Sequence, residues 1–138
     1  MLPLVEKQRA TAAYPTLRQW VDDLNRAYRR EPALHKFDCH ERGFQWIDCN
    51  DHESSVVSFV RRSTDPADFT VFILNFTPVV REGYRIGVPE LCRYREVLNS
   101  DSAYYGGSNL GNAGGVPTEA FPAHGHAQSG AFVLPPLA

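Results

Sequence analysis

Between Thr16 and Arg30 the apolar residues Leu17, Trp20, Val21, Leu24, Ala27 and Tyr28 recur at the i, i+3, i+4, i+7 spacing that lines one face of a helix. Thr16 with Gln19 three residues on matches a capping box, Asp22 stands four residues before Arg26, and Pro32 follows a basic last turn. The pattern predicts a helix from about Leu17 to Arg29 or Arg30. Ahead of it, residues 1–14 carry little pattern and read as a poorly anchored start.

After Lys36 the period shortens to that of extended chain, through "GFQWIDC", "SVVSFVRR", "FTVFILNF", "GYRIGV", "CRYREVLN" and "GAFVLPP". These six strings are rich in Val, Ile, Phe and Tyr and are separated by clusters of Gly, Pro, Asp, Asn and Ser, the pattern of an antiparallel sandwich or barrel. "FTVFILNF" is apolar on both alternating faces, so a central strand is expected there. In "CRYREVLN", Cys92, Tyr94 and Leu98 alternate with Arg93, Arg95 and Asn99, while Glu96 and Val97 break the alternation. No internal repeat and no alternation of strands with helices is visible, which excludes a solenoid or a parallel sheet. The expected division is residues 1–14 as the loose start, 15–36 as the helical segment and 37–138 as one all-β unit.

Composition adds constraints rather than detail. A chain of 138 residues suits one core, and 43% hydrophobic with 22% charged residues is ordinary for a globular domain. A net charge of −2 supplies no electrostatic attraction for nucleic acid or an anionic membrane. No apolar run approaches the roughly 20 residues that span a bilayer, and "MLPLVEKQRA" meets charge too early for a signal-peptide core, so the cytoplasm is the expected location. Cys39, Cys49 and Cys92 form no CxxC pair and leave one thiol over from any disulfide, which suits a reducing compartment and argues against a sugar on the Asn75-Phe76-Thr77 sequon.

The string "YYGGSNLGNAGG", residues 104–115, invites a phosphate-loop reading. A P-loop needs a Lys and a Ser or Thr after its last glycine, whereas Gly115 is followed by Val116 and Pro117, and no lysine occurs after Lys36. The dinucleotide fingerprint fails on glycine spacing and on the helix it requires. A structured loop whose glycines take positive φ is the better reading.

Other chemistry is equally thin. Cys39, His40, Cys49 and His52 are candidate zinc ligands by type, but Cys39 and His40 are adjacent and miss the usual ligand gaps; a packed Cys49 and exposed His52 are expected instead. Asp48, Asp51 and Glu53 read as turn formers rather than as a glycosidase acid pair. His124, His126 and Ser129 lack a nucleophile elbow and a third partner, so a polar loop is expected there. No catalytic residue, cofactor or metal is expected from these residues.

The ordered blocks "RQWVDDLNRAYRREPALH", "GFQWIDCND", "SVVSFVRR", "NFTPVVREGYRIGVP", "YREVLNSDSAYYGGSNLGN" and "LPPLA" resemble the carboxyl-terminal part of bacterial glycogen branching enzymes, over about Pro15 to Ala138. The resemblance implies an α-amylase-superfamily parent that cuts an α-1,4-glucan and rejoins the piece through an α-1,6 bond, with its carboxylates on a (β/α)8 barrel. It implies that residues 17–29 correspond to the last barrel helix and that the remainder is an antiparallel β-sandwich of the α-amylase C-terminal type. Neither the barrel nor its acids has a counterpart in this sequence. The match ends at "LPPLA", short of the length family members usually reach, which leaves the pairing of the final strand as a question for the structure.

Two roles follow from the resemblance. One is a non-catalytic domain that stabilises the barrel; the other is a module that holds α-glucan such as glycogen or amylose on surface aromatics, with Trp46, Tyr104 and Tyr105 as stacking candidates and Asn109 as a hydroxyl partner. For Trp46 a core position on an inner strand face is the competing expectation, because Phe44 shares its face. Of the two tyrosines, one is expected to pack inward and the other outward. The apolar helix face of Leu17, Trp20, Val21, Leu24 and Tyr28 is expected to meet the missing barrel, to pack on the sandwich, to pair with a second copy, or to stay exposed.

Overall fold

The computed structural model describes residues 15–138; the expected loose start at 1–14 lies outside the described residues. The helix, α1, spans Pro15–Arg30. It begins two residues before the predicted start, because proline's fixed φ and missing N–H suit a first helical turn. Thr16 thus falls inside the helix and not at its cap. A short 3-10 turn at Pro32–Leu34 buries Ala33 completely.

Seven strands follow: β1 (Phe44–Asp51), β2 (Val56–Arg62), β3 (Phe69–Asn75), β4 (Arg81–Val88), β5 (Arg93–Tyr94), β6 (Val116–Glu119) and β7 (Gln128–Leu134). They form two antiparallel sheets, ordered β1-β2-β3 and β4-β7-β6-β5. Alternation along the strands turns Ile47, Val56, Val60, Ile86, Val88, Val116, Phe132 and Leu134 into one buried core, with Phe69, Val71, Ile73, Tyr84 and Tyr94 packed around it.

Several expectations change at this point. "FTVFILNF" is an edge strand, and β2 is the centre of its sheet. Its second apolar face is spent on the outside of the domain, where Phe72 stacks parallel on Phe59 with ring centroids 4.8 Å apart. In "CRYREVLN" only Arg93 and Tyr94 pair. Beyond them Glu96 and Asn99 turn their side chains to the backbone of Asn112 and Leu110, so the chain leaves the sheet to brace the glycine-rich loop. "VPTE" escaped the sequence reading because a four-residue strand containing Pro117 carries almost no periodicity. The final strand lies between β4 and β6, pairing β4 along most of its length and β6 at Ser129 and Gly130.

The two sheets are tied together at one end by Asn75. Its side chain is buried, and Nδ2 donates to Val79 O and Pro135 O, each at 2.8 Å, while Oδ1 accepts from Thr77 N at 3.1 Å and the Thr77 hydroxyl at 2.8 Å. All four polar valences of the carboxamide are therefore used inside the protein. Close packing also sets Gly87, where a Cβ would lie 2.0 Å from Ala123 O, so only glycine lets the β6–β7 loop pass this close to β4.

Asn75→Ala is expected to lower stability by about 2 to 4 kcal/mol, since it orphans the buried Pro135 carbonyl and the half-buried Val79 carbonyl and Thr77 amide. Urea denaturation checks this; Asn75→Asp, which keeps the acceptor and loses both donors, should recover less than half of the loss.

Candidate functional site

The glycine-rich segment is an ordered loop organised around Asp101. That carboxylate accepts from Ser108 N at 3.1 Å, the Ser108 hydroxyl at 2.5 Å and Leu110 N at 3.1 Å, and the Asp101 carbonyl accepts from Asn109 N at 2.7 Å. Partial burial pushes the Asp101 carboxyl up, but the bonds from Ser108 and Leu110 outweigh it and hold the group below the usual carboxylate range. Gly106 takes a left-handed φ of 83° to end the 3-10 turn at Ala103–Tyr105. A Cβ at Gly107 would sit 2.2 Å from Asp101 O, so the loop closes only without one. Asn112 then bonds both backbone groups of Val133, at 2.8 and 2.9 Å, and fastens the loop to β7.

The expected division of the tyrosines is what the geometry contains. Tyr104 is 77% exposed, whereas Tyr105 turns inward to meet Trp20 of α1 edge-on at 4.9 Å and donates its hydroxyl to Asp23 Oδ2 at 2.7 Å. Burial, reinforced by the Asp23 carboxylate, pushes the Tyr105 phenol up to about 12. Asn109 stands at φ 64° and uses its Oδ1 to accept Ala103 N at 3.2 Å, so it stabilises the turn that presents Tyr104.

Trp46 lies elsewhere. It is 52% exposed on the outer face of the three-stranded sheet, not in the core, and meets Phe44 at 4.9 Å and Phe59 at 5.8 Å, both edge to face. The shared face with Phe44 was legible from the i, i+2 spacing, but which face met the core was not; Ile47, next along the strand, takes the opposite and buried face. No hydrogen bond or ring contact among the described residues joins Trp46 to the Tyr104–Asn109 loop.

The helix is tethered at two points. Besides Tyr105, Tyr28 donates to Asp38 Oδ2 at 3.3 Å, and Asp38 is held by Arg61 Nη2 at 2.9 Å. The Arg61 hydrogen bond keeps the Asp38 carboxyl below its ordinary range. Between these points α1 buries no residue, and Leu17, Val21, Leu24 and Tyr28 are 40 to 56% exposed.

The weaker sequence candidates serve local structure. His40 Nδ1 caps the 3-10 turn at Glu41–Gly43 by accepting from Arg42 N, and Cys39, Cys49 and Cys92 are all exposed, against the expectation that Cys49 packs inside. Asp48 and Asp51 accept from Asn50 N and Ser54 N in the β1–β2 turn, and Asp51 also takes the Tyr84 hydroxyl. His124 Nδ1 accepts from Gly87 N at 3.0 Å with Nε2 3.4 Å from Asp48, while Ser129 is buried and bonded by Arg85. Among the described residues, no group of three or more His, Cys, Asp or Glu is placed to hold a metal ion. Sequence reading missed Asp101, Asn112 and Asn75; each was visible only as a polar residue in a turn-rich string, with partners as far as 60 residues away.

Two antiparallel sheets closing over one core, with a helix held outside them by a phenol and a carboxylate, define a small all-β sandwich domain. The family model described as "Alpha amylase, C-terminal all-beta domain" matches residues 46–138, and the chain belongs to that family. It is 57% identical over 118 residues to the 1,4-alpha-glucan branching enzyme GlgB of Paramagnetospirillum magneticum, covering 86% of this chain and 16% of that protein. It is also 57% identical over 122 residues to GlgB of Aromatoleum aromaticum, covering 88% of this chain and 19% of that one. With GlgB of Burkholderia thailandensis it shares 53% over 129 residues, 94% of this chain and 16% of the other. The chain thus spans less than a fifth of the length of these curated relatives.

Because the Tyr105 phenol is favoured in its neutral form, its contribution to helix docking is complete below the unfolded tyrosine pKa of about 10 and fades as pH rises through about 12. Spectrophotometric titration should show several late-ionising tyrosines, Tyr84 and Tyr94 among them, and one fewer in Tyr105→Phe. That variant is expected to lose about 1 kcal/mol and to loosen α1 without unfolding the sheets.

Proposed function

We propose that this chain acts as the non-catalytic C-terminal β domain of a 1,4-alpha-glucan branching enzyme and stabilises the catalytic barrel of that enzyme. The parent reaction would be transfer of an α-1,4-glucan segment to an α-1,6 linkage in glycogen synthesis, carried out by barrel residues and not by this chain. The observation that carries the reading is α1: it is held rigidly at Tyr105 and Asp38, yet leaves Leu17, Val21, Leu24 and Tyr28 in water. At about 25 cal/mol per Å² of apolar area, covering a few hundred Å² would supply several kcal/mol. A prepositioned apolar stripe on an otherwise satisfied domain is suited to a large partner surface. The reading places the protein in the cytoplasm, which agrees with the absence of any described helix long and apolar enough to cross a membrane.

Mixing the chain with a branching enzyme truncated before its own C-terminal β domain should raise that enzyme's thermal midpoint and its iodine-monitored branching rate. Leu24→Asp, on the exposed helix face, should abolish both effects while leaving the domain folded. No gain with the wild-type chain, together with a concentration-dependent dimer that Leu24→Asp dissolves, would instead assign this face to a second copy.

A second reading is favoured by Trp46 and Tyr104, whose rings are the most exposed among the sequence-chosen aromatics. An α-glucan would stack on them by its apolar sugar faces and hold polymer near the active site. Phe59 and Phe72 stack face to face with each other and are half-buried, so Trp46, 52% exposed, would carry most of the contact on its surface. In gels containing glycogen or amylose the chain is then expected to be retarded, and Trp46→Ala and Tyr104→Ala should each relieve part of the retardation. Unchanged mobility of the wild type removes this role.

A further inference from the structure

Where β1 of the smaller sheet meets β4 of the larger one, two carboxylates of β1 close the seam. Asp51 accepts the hydroxyl of Tyr84 on β4. Asp48 lies 3.4 Å from Nε2 of His124, whose Nδ1 accepts from Gly87 N of β4 at 3.0 Å. One imidazole thus bridges a side chain of the three-stranded sheet and a backbone amide of the four-stranded one.

His124 reaches this position from a tight turn. Ala123 and His126 exchange both backbone hydrogen bonds, at 3.1 and 2.9 Å, around His124 at φ 50° and Gly125 at φ 78°. Two consecutive positive φ values mark a type I′ hairpin turn, whose first central position is ordinarily Asn, Asp or Gly. The turn also lies hard against β4, where Ala123 O would meet a Cβ at Gly87 at 2.0 Å.

The two contacts fix where the ring carries its proton. An accepting Nδ1 is bare, so the neutral ring is protonated on Nε2, the nitrogen beside Asp48. A second proton has one place to go, Nδ1, and an imidazolium has two donors and no acceptor. It would set N–H against N–H at Gly87 while its charge strengthens the attraction to Asp48. His126, on the same turn, is pushed down by burial, then by Arg62 of β2 and by His124. Arg85, two residues along β4 from Gly87, is turned to Ser129 and Glu119. Farther along the seam the Tyr84 hydroxyl holds Asp51 below the usual carboxylate range, while burial and Asp51 push the Tyr84 phenol up, so that tie does not titrate near neutrality.

We propose that His124 is a pH-sensitive latch: the neutral ring holds the β6–β7 turn against β4, and the protonated ring releases Gly87 and pivots the turn toward Asp48 on β1. Because the closed form excludes the second proton, the latch is complete above the imidazole range and is lost as pH falls through it. A free imidazole takes up a proton at about pH 6.5, and below that value each pH unit favours opening about tenfold. The Asp51–Tyr84 tie keeps the sheets together, which confines the change to the turn.

Nuclear magnetic resonance on the full chain tests the latch. At about pH 8 the nitrogen shifts of His124 should show a proton on Nε2 and a bare Nδ1. Between about pH 7.5 and 5.5, exchange of the Gly87 amide, corrected for the pH dependence of free amides, should accelerate about tenfold in step with His124 titration. Ile86 and Val88, in the β4–β7 ladder, should change little. His124→Asn keeps a side-chain acceptor and suits the positive φ but cannot titrate, so Gly87 should be held equally at both pH values. His126→Asn should leave the transition in place. A proton on Nδ1 at the higher pH, a Gly87 amide that stays protected while His124 titrates, the same acceleration in His124→Asn, or its loss in His126→Asn would overturn the proposal. The first two are read on the wild type and decide the matter even if a variant misfolds.

Discussion

The domain depends on the buried carboxamide of Asn75. Two three- and four-stranded sheets can slide over a core of Val, Ile and Leu, because hydrophobic contact is non-directional. Asn75 stands at the end of β3 in one sheet and bonds the backbone entering β4 and the backbone leaving β7 in the other. A directional, fully satisfied polar group at that corner fixes where the sheets meet. It also fixes where residues 135–138 cross from one sheet to the other.

Around this frame the molecule divides into a satisfied part and an unsatisfied part. The glycine-rich loop, despite its composition, belongs to the first: Asp101, Glu96 and Asn112 supply it with directed bonds that replace a core. The outer face of α1 belongs to the second, with Leu17, Val21, Leu24 and Tyr28 exposed. Trp20 and Leu24 line one groove together with Phe69, Val71 and Ile73 of β3. The residue that holds the helix there, Tyr105, comes from the loop, so the ordering of the glycine-rich string and the presentation of the apolar helix are one structural event.

The strands and helix were readable where side-chain periodicity was strong. β1, β2, β4 and β7 fall within a few residues of their predicted strings, because each buries one face and the period of two is then imposed by water. β6 and the second half of "CRYREVLN" were not readable. In the first, Pro117 and four residues leave no period to detect; in the second, Glu96 and Asn99 respond to partners on a distant loop that sequence proximity does not reveal. Trp46 illustrates the limit most sharply, since the face it shares with Phe44 was readable and the side of the sheet that this face turns to was not.

Residue pattern alone was enough for an all-β unit, sandwich or barrel, and for the amphipathic helix before it, for these follow from local period and from the separation of apolar and polar positions; the resemblance to branching enzymes narrowed the first to a sandwich, and which tyrosine turns inward needed the structure. Sheet order, the edge position of β3, the exposure of Trp46 and the docking of α1 required the folded chain. Each of them rests on contacts between segments tens of residues apart, and the free energy of such contacts depends on which surfaces the folded chain brings together, a property of no short stretch of sequence.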